Sequence, residues 1–242
     1  VLNLFNYSPK TSLKILKSSR YRNSKLNIGN FKLFELLINK LQIPQRWKQR
    51  LIKFFWNEKY FSELLKRLES NLDIDPVAVA GDKKMYSKMI KLNQKKIING
   101  RSYKEIIKRF ESKINDPRQS ETGKKSAKII KEFLKIKCSL NNAPNILNKF
   151  FKKYDLNIFV NKDFFPIKNL KIKDTKFEFS TSIGRGREVE FYNSLIFSLD
   201  VKKKNKFVNL ISGGRFDELT SKYLGLKKVP AVGAAVNLSN YE

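Results

Sequence analysis

The sequence predicts an α+β fold on three observations. Apolar residues recur with a helical period from residue 31 to about 154. Beyond 154 the spacing shortens to the alternation of half-buried strands. The two patterns are segregated, not interleaved, which favours an antiparallel sheet over repeated βαβ units. The expected division is residues 1–30 as a remainder of the sheet core, 31–154 as a helical insertion and 155–242 as the closing part of the core.

The elements follow in order. Residues 10–18 carry a short helical pattern, and Leu26 and Ile28 alternate with polar neighbours as a strand does. Asn30 reads as an N-cap. Three apolar helix faces follow: Phe31, Phe34, Leu37 and Ile38; then Leu51, Ile52 and Phe55; then Phe61, Leu64, Leu65 and Leu68. Pro44 opens the second helix, where its missing N–H costs nothing, and Asn57 or its neighbour separates the second from the third. Asn71 to Asp82, with Pro76 and Gly81, reads as a loop. Lys84 to Ile98 reads as a lysine-rich helix ending at Asn99-Gly100. Ser102 and Glu105 have capping-box spacing ahead of Ile106, Ile107, Phe110 and Ile114, and Pro117 ends that helix. Ser126 to Ile136 and Ala143 to Tyr154 complete the helical middle. Ile158-Phe159-Val160, Lys171 to Phe179, Glu190 to Leu199 and Phe207 to Ile211 are rich in β-branched and aromatic residues. Lys202-Lys203-Lys204-Asn205 joins the last two as a hairpin. A helix over Asp217 to Tyr223 and a Gly-Ala strand near 231–237 close the chain.

Composition excludes several classes of function. The 242 residues hold no histidine, so Ser-His and Cys-His nucleophile pairs and histidine-ligated zinc are ruled out. Any chemistry would rest on Arg, Lys and carboxylates, and no metal or cofactor is expected. The lone Cys138 has no internal disulfide partner, which suits a reducing cytoplasm. No apolar run reaches the roughly 18 residues of a membrane span. The net charge of +29 is mostly lysine, dispersed along the chain among abundant Asn, Ile, Phe and Tyr, as A/T-rich codons would produce. A phosphate-binding stripe should be local and contain arginine, and no discrete block of that kind is visible. A nucleic-acid partner is therefore not expected. The chain begins at Val1, which suggests an upstream part.

Two stretches carry the functional signal. The first is Gly184-Arg185-Gly186-Arg187-Glu188-Val189-Glu190-Phe191-Tyr192-Asn193. The second is Gly213-Gly214-Arg215-Phe216-Asp217-Glu218-Leu219, where two glycines permit close backbone approach and a helix start can meet an anion. Each alone is weak. In this order and spacing they resemble the two histidine-binding signatures of histidyl-tRNA synthetases, Arg-Gly-Leu-Asp-Tyr-Tyr and Gly-Gly-Arg-Tyr-Asp-Gly-Leu. Pro230-Ala231-Val232-Gly233 resembles the start of the third class II synthetase motif.

Three departures from the enzymes bear on function. Their third motif ends Gly-Leu-Glu-Arg, with the arginine over ATP; here the stretch is Asn237-Leu238-Ser239-Asn240, and Asn240 lacks the charge and reach to stack on adenine. Phe191 and Phe216 stand where the synthetases have tyrosines. This profile is similar to the regulatory subunits of ATP phosphoribosyltransferase, synthetase-like paralogues that do not charge tRNA. Leu26-Asn27-Ile28-Gly29-Asn30, Pro44-Gln45-Arg46-Trp47 and Gly100-Arg101-Ser102 extend the likeness more softly. The resemblance implies a class II synthetase-like antiparallel sheet with a helical insertion, lacking the N-terminal part of that core. It implies a non-catalytic subunit that activates a short catalytic subunit in the first step of histidine biosynthesis and mediates histidine feedback. The implied partners are that catalytic subunit in a hetero-octamer, a second copy in a self-dimer, and a histidine ligand. The implied pocket is Arg187, Glu190, Phe191, Tyr192, Gly213, Gly214, Arg215, Phe216 and Asp217. The competing readings are a histidyl-tRNA synthetase fragment and a basic RNA-binding protein.

Overall fold

A computed structural model describes residues 23–70, 76–92, 97–98, 101–114, 120–165, 174–186, 191–225 and 229–240. The helix expected over 10–18 lies outside these residues, as do Pro117 and the first residues of the strand expected from Lys171. The chain forms two compact units, Val1–Lys40 with Ile130–Glu242, and Leu41–Ile129. The expected insertion over 31–154 is wider than the second unit, because the first and last of its helices cluster with the sheet.

Among the described residues the sheet has six strands: β1 (Ser24–Asn30), β4 (Lys137–Ser139), β5 (Thr175–Ser180), β6 (Leu195–Lys203), β7 (Lys206–Arg215) and β8 (Val232–Val236). Their order is β4-β5-β1-β6-β7-β8. Neighbours are antiparallel except β1 and β5, which run parallel with Leu26 opposite Phe177 and Ile28 opposite Phe179. The wholly antiparallel sheet expected from sequence is corrected at this one pair. β1 comes from far up the chain and enters between β5 and β6, so no hairpin dictates its direction. The β6–β7 turn is the expected one. Lys204 and Asn205 both have positive φ, 45° and 65°, the two-residue geometry that matches strand twist, with Lys203 opposite Lys206.

Alternation divides the sheet into two faces. Leu26, Ile28, Leu195, Phe197, Leu199 and Val201 belong to one buried apolar cluster. Asn27, Ser198 and Asp200 alternate with them and form a polar network. Asn27 Nδ2 donates to Asp200 Oδ2 at 2.6 Å and to Ser198 Oγ at 3.3 Å. Asn209 Nδ2 donates to Asp200 Oδ1 at 2.9 Å, and Ser212 Oγ to Asn209 Oδ1 at 2.8 Å. Half-buried polar groups persist there because each finds a partner.

Helices supply the rest of this unit's core. α1 (Phe31–Lys40) buries Phe31, Leu33, Phe34, Leu37 and Ile38, and its first turn is capped by Asn30 Oδ1, which accepts the Lys32 N–H at 3.0 Å. The end of α6 (Ser120–Phe133) supplies Phe133, and α7 (Ala143–Lys153) supplies Leu147, Phe150 and Phe151. The Phe133 ring lies 6.4 Å from Phe34, 5.7 Å from Phe150 and 6.2 Å from Phe151 between centroids. Truncating Phe133 to alanine should cost about 3–5 kcal/mol. Ile158-Phe159-Val160 is not a strand. Asn148 donates to the Val160 carbonyl at 2.9 Å and accepts its N–H at 2.8 Å. A side-chain amide thus replaces the neighbouring strand, and Phe159 stays 76% exposed.

The second unit is helical. α2 (Gln45–Lys53) buries Trp47 and Leu51, and α3 (Glu58–Glu69) buries Phe61, Leu64, Leu65 and Leu68. Asn57 caps α3 by accepting the Tyr60 N–H at 3.0 Å. α4 spans Pro76–Leu92, so the loop read over Asn71 to Asp82 is corrected from Pro76 onward, and the helix read from Lys84 is present as far as Leu92; residues 71–75, 93–96 and 99–100 lie outside the described residues. Pro76 occupies the first helical position, where proline is favoured. Ile97–Ile98 (β2) instead pairs with Arg101–Ser102 (β3). The capping box at the start of α5 (Tyr103–Ile114) is present: Glu105 Oε2 accepts the Ser102 N–H at 2.8 Å, and Ser102 Oγ accepts the Glu105 N–H at 3.3 Å. No helix among the described residues is long and apolar enough to cross a membrane.

Candidate functional site

The two motif stretches meet where β7 ends and α8 (Asp217–Leu224) begins. Arg187 and Glu190 lie outside the described residues. The others come together. Phe191, Tyr192 and Phe216 form one aromatic cluster, with centroids 4.4 Å apart for Phe191–Tyr192, 5.8 Å for Phe191–Phe216 and 6.3 Å for Tyr192–Phe216. Tyr192 is buried and Phe191 is exposed. Burial pushes the Tyr192 hydroxyl above its ordinary range.

The glycines allow this packing. A Cβ on Gly214 would sit 2.7 Å from the Leu195 carbonyl and 2.7 Å from the Tyr192 ring. One on Gly213 would strike the Gly233 carbonyl and come within 2.7 Å of the Phe197 ring. Gly213 and Gly214 thus let β7 approach β8 and the aromatic cluster closely.

Arg215 and Asp217 are paired with each other. Arg215 Nε donates to Asp217 Oδ1 at 2.9 Å and Oδ2 at 2.7 Å, and Nη2 lies 2.6 Å from Oδ2. Asp217 Oδ1 also accepts the Ala231 N–H at 2.9 Å, while the Phe216 N–H donates to the Ala231 carbonyl at 2.9 Å. Asp217 therefore ties the end of β7 and the start of α8 to the chain entering β8. Burial alone would raise its carboxyl. The Arg215 and Ala231 hydrogen bonds, with the charges of Arg215 and Lys32, hold it below its ordinary value. A carboxylate at the first turn of a helix is further favoured by the helix dipole.

Sequence reasoning assigned no role to Asn193 or Glu35. The Asn193 N–H donates to the Arg215 carbonyl at 3.0 Å. With its amide oriented to satisfy both sides, Asn193 Nδ2 donates to that carbonyl and Oδ1 accepts the Glu218 N–H, each at 3.1 Å. Asn193 is thus a helix cap supplied from another segment, and no local spacing could reveal it. Glu35, on α1, has its carboxyl raised by burial and then by the neighbouring Glu218 charge, with Lys32 opposing. Asn240 closes a 3-10 turn after β8 (Leu238–Asn240), and its Nδ2 donates to the Asn209 carbonyl of β7 at 2.9 Å.

The chain was compared with known proteins. No family model matches it. A protein of Allorhizobium ampelinum named ATP phosphoribosyltransferase regulatory subunit is 28% identical over 89% of this chain and 61% of its own length. One of Sinorhizobium fredii with the same name is 24% identical over 91% of this chain and 62% of its own length. The chain therefore spans about six-tenths of the curated relatives it matches. The histidyl-tRNA synthetase of Nostoc sp. superposes with a TM-score of 0.52 at 17% identity, covering 96% of this chain and 44% of that one. The fold is thus a histidyl-tRNA synthetase-like class II fold of α+β type, and over nine-tenths of its length the chain is similar in sequence to ATP phosphoribosyltransferase regulatory subunits.

Proposed function

We propose that this protein acts as a regulatory subunit of ATP phosphoribosyltransferase in the first step of histidine biosynthesis and has no tRNA-charging activity. The observation that carries this reading is the similarity, over nine-tenths of the chain, to proteins bearing that name. The position of Asn240 supports it. The amide donates to a backbone carbonyl of β7, and a short neutral side chain so used cannot stack a fixed charge on adenine. In this reading the protein works in the cytoplasm, as a self-dimer within a hetero-octamer with a short catalytic subunit. Histidine would be held by Arg187 and Glu190 beside the aromatic wall of Phe191, Tyr192 and Phe216. Feedback then requires that histidine bind differently in two states of the complex.

The deciding experiment co-expresses the protein with a short catalytic subunit and measures assembly by light scattering and phosphoribosyl transfer with and without histidine. A stable complex with stimulated transfer is expected. No complex and no stimulation would defeat the proposal, and robust histidine-dependent pyrophosphate exchange by the protein alone would favour a ligase instead.

A further inference from the structure

Residues 41–129 gather positive charge that the linear sequence disperses. α2 places Arg46, Arg50 and Lys53 at helical spacing, so they share one face. α3 adds Arg67, and α5 adds Lys108 and Arg109; all six line one cavity of about 950 Å³. Glu105 is the one carboxylate in the lining, and it is already engaged by the Ser102 N–H and Oγ at 2.8 and 2.9 Å. Four of the chain's eleven arginines meet here, against a background in which the basic excess is lysine. Arginine matters because its planar fork matches phosphate oxygens two at a time.

An aromatic wall accompanies the charge. Phe54 and Tyr60 line the same cavity, edge to face with centroids 4.5 Å apart. Arg50 Nη2 donates to Tyr60 Oη at 2.9 Å, so ring and guanidinium are held side by side. The volume lies near the top of the roughly 300–1,000 Å³ range of small-molecule sites, larger than a lone phosphate requires.

We propose that this cavity of the helical unit binds a small anion carrying two or more phosphate groups, of the nucleoside polyphosphate class. The proposal stands apart from the regulatory reading and does not depend on it.

The test is titration calorimetry of the full chain with inorganic tripolyphosphate, with ATP and with orthophosphate at matched ionic strength. Three outcomes are expected: one site per chain for tripolyphosphate and ATP, much weaker binding of orthophosphate, and affinity that falls as salt is added. Lys108 and Arg109 are exposed on α5, so Lys108→Gln/Arg109→Gln should leave the thermal transition near that of the parent and weaken binding by roughly tenfold or more. Arg109→Gln alone provides a milder second variant. Lys202→Gln/Lys203→Gln, which removes equal charge from the β6–β7 hairpin, should leave binding unchanged. Equal losses in the two double variants would overturn the proposal by showing generic attraction to a basic chain. Binding of a single-stranded RNA oligonucleotide without binding of tripolyphosphate or ATP would also overturn it.

Discussion

Asp217→Ala tests the architecture of the candidate site most directly. The substitution removes the carboxylate that pairs with Arg215 and accepts the Ala231 N–H. A hydrogen bond to a charged group contributes about 1.5–3 kcal/mol. The Arg215 pair is worth less, about 0–1 kcal/mol, because both side chains keep some exposure, 22% and 24%. A lost carboxylate at the first turn of α8 adds about 0.3–1 kcal/mol. Together the expected cost is about 2–5 kcal/mol, or roughly 4–20 °C in Tm for a chain of this size. The assay is thermal unfolding combined with hydrogen exchange at Phe216 and Ala231, whose amides report on the tie between β7 and β8. Asp217→Asn should show the pH signature. Because the folded-state carboxyl lies below its ordinary value of 3.8, its stabilisation is present above that value and lost as pH falls through the lower folded value. Parent and Asp217→Asn should therefore differ at neutral pH and converge in strong acid. An Asp217→Ala protein that melts within about 1 °C of the parent, with unchanged exchange at both amides, would refute the reasoning.

Other perturbations have equally definite outcomes. Gly214→Ala drives a Cβ against the Leu195 carbonyl and the Tyr192 ring; it should cost about 1–3 kcal/mol in denaturant unfolding and alter the near-ultraviolet signal of Tyr192. Gly81→Ala is the opposite case, since no atom lies within 4 Å of the added Cβ inside α4, and urea unfolding should show a gain of about 0.5–1 kcal/mol. Asn193→Ala removes the remote cap on Glu218 and should cost about 1 kcal/mol, with faster exchange confined to the first turn of α8. Glu35→Gln should raise Tm at neutral pH, because the folded-state carboxyl lies above its ordinary 4.5, and the gain should vanish below that value, where both states are protonated.

Features with local determinants are legible in the sequence. The Asn30 and Asn57 caps, the Ser102–Glu105 box and the Lys204-Asn205 turn each depend on side chains within a few residues. Pro76 and Gly81 suggest a loop, yet proline at a first helical position costs nothing and one interior glycine costs only about 1 kcal/mol, so seventeen residues of helix absorb both. β4 has three residues, too few to show a period. The parallel pairing of β1 with β5 joins residues about 150 positions apart, and nothing within Ser24–Asn30 specifies that neighbour. The same holds for the basic cavity. The spacing of Arg46 and Arg50 is visible, but their convergence with Arg67 and Arg109 is a property of three packed helices. At the candidate site the motif residues are legible as a set, whereas the Asn193 cap and the Ala231 N–H on Asp217 arise only when β7, α8 and β8 meet.

The internal pairing of Arg215 with Asp217 bears on which residues could sense histidine. A ligand carboxylate approaching Arg215 must compete with a carboxylate already held through Nε and Nη2, and releasing Asp217 would also free the Ala231 N–H. Binding through Arg215 therefore works against the tie that joins β7, α8 and β8. On the proposed function, Arg187 and Glu190 then meet the carboxylate and amino group of histidine. Separate effects follow. Arg215→Ala should lower Tm by up to about 4 °C, since the partly exposed pair it removes is worth about 0–1 kcal/mol, whether or not histidine is present. Arg187→Ala should abolish the histidine response of the complex with the catalytic subunit. Differential scanning calorimetry and the phosphoribosyl transfer assay, run on both variants, separate the two roles. A histidine response retained in Arg187→Ala but lost in a folded Arg215→Ala would reverse the assignment and make the Arg215–Asp217 pair the switch.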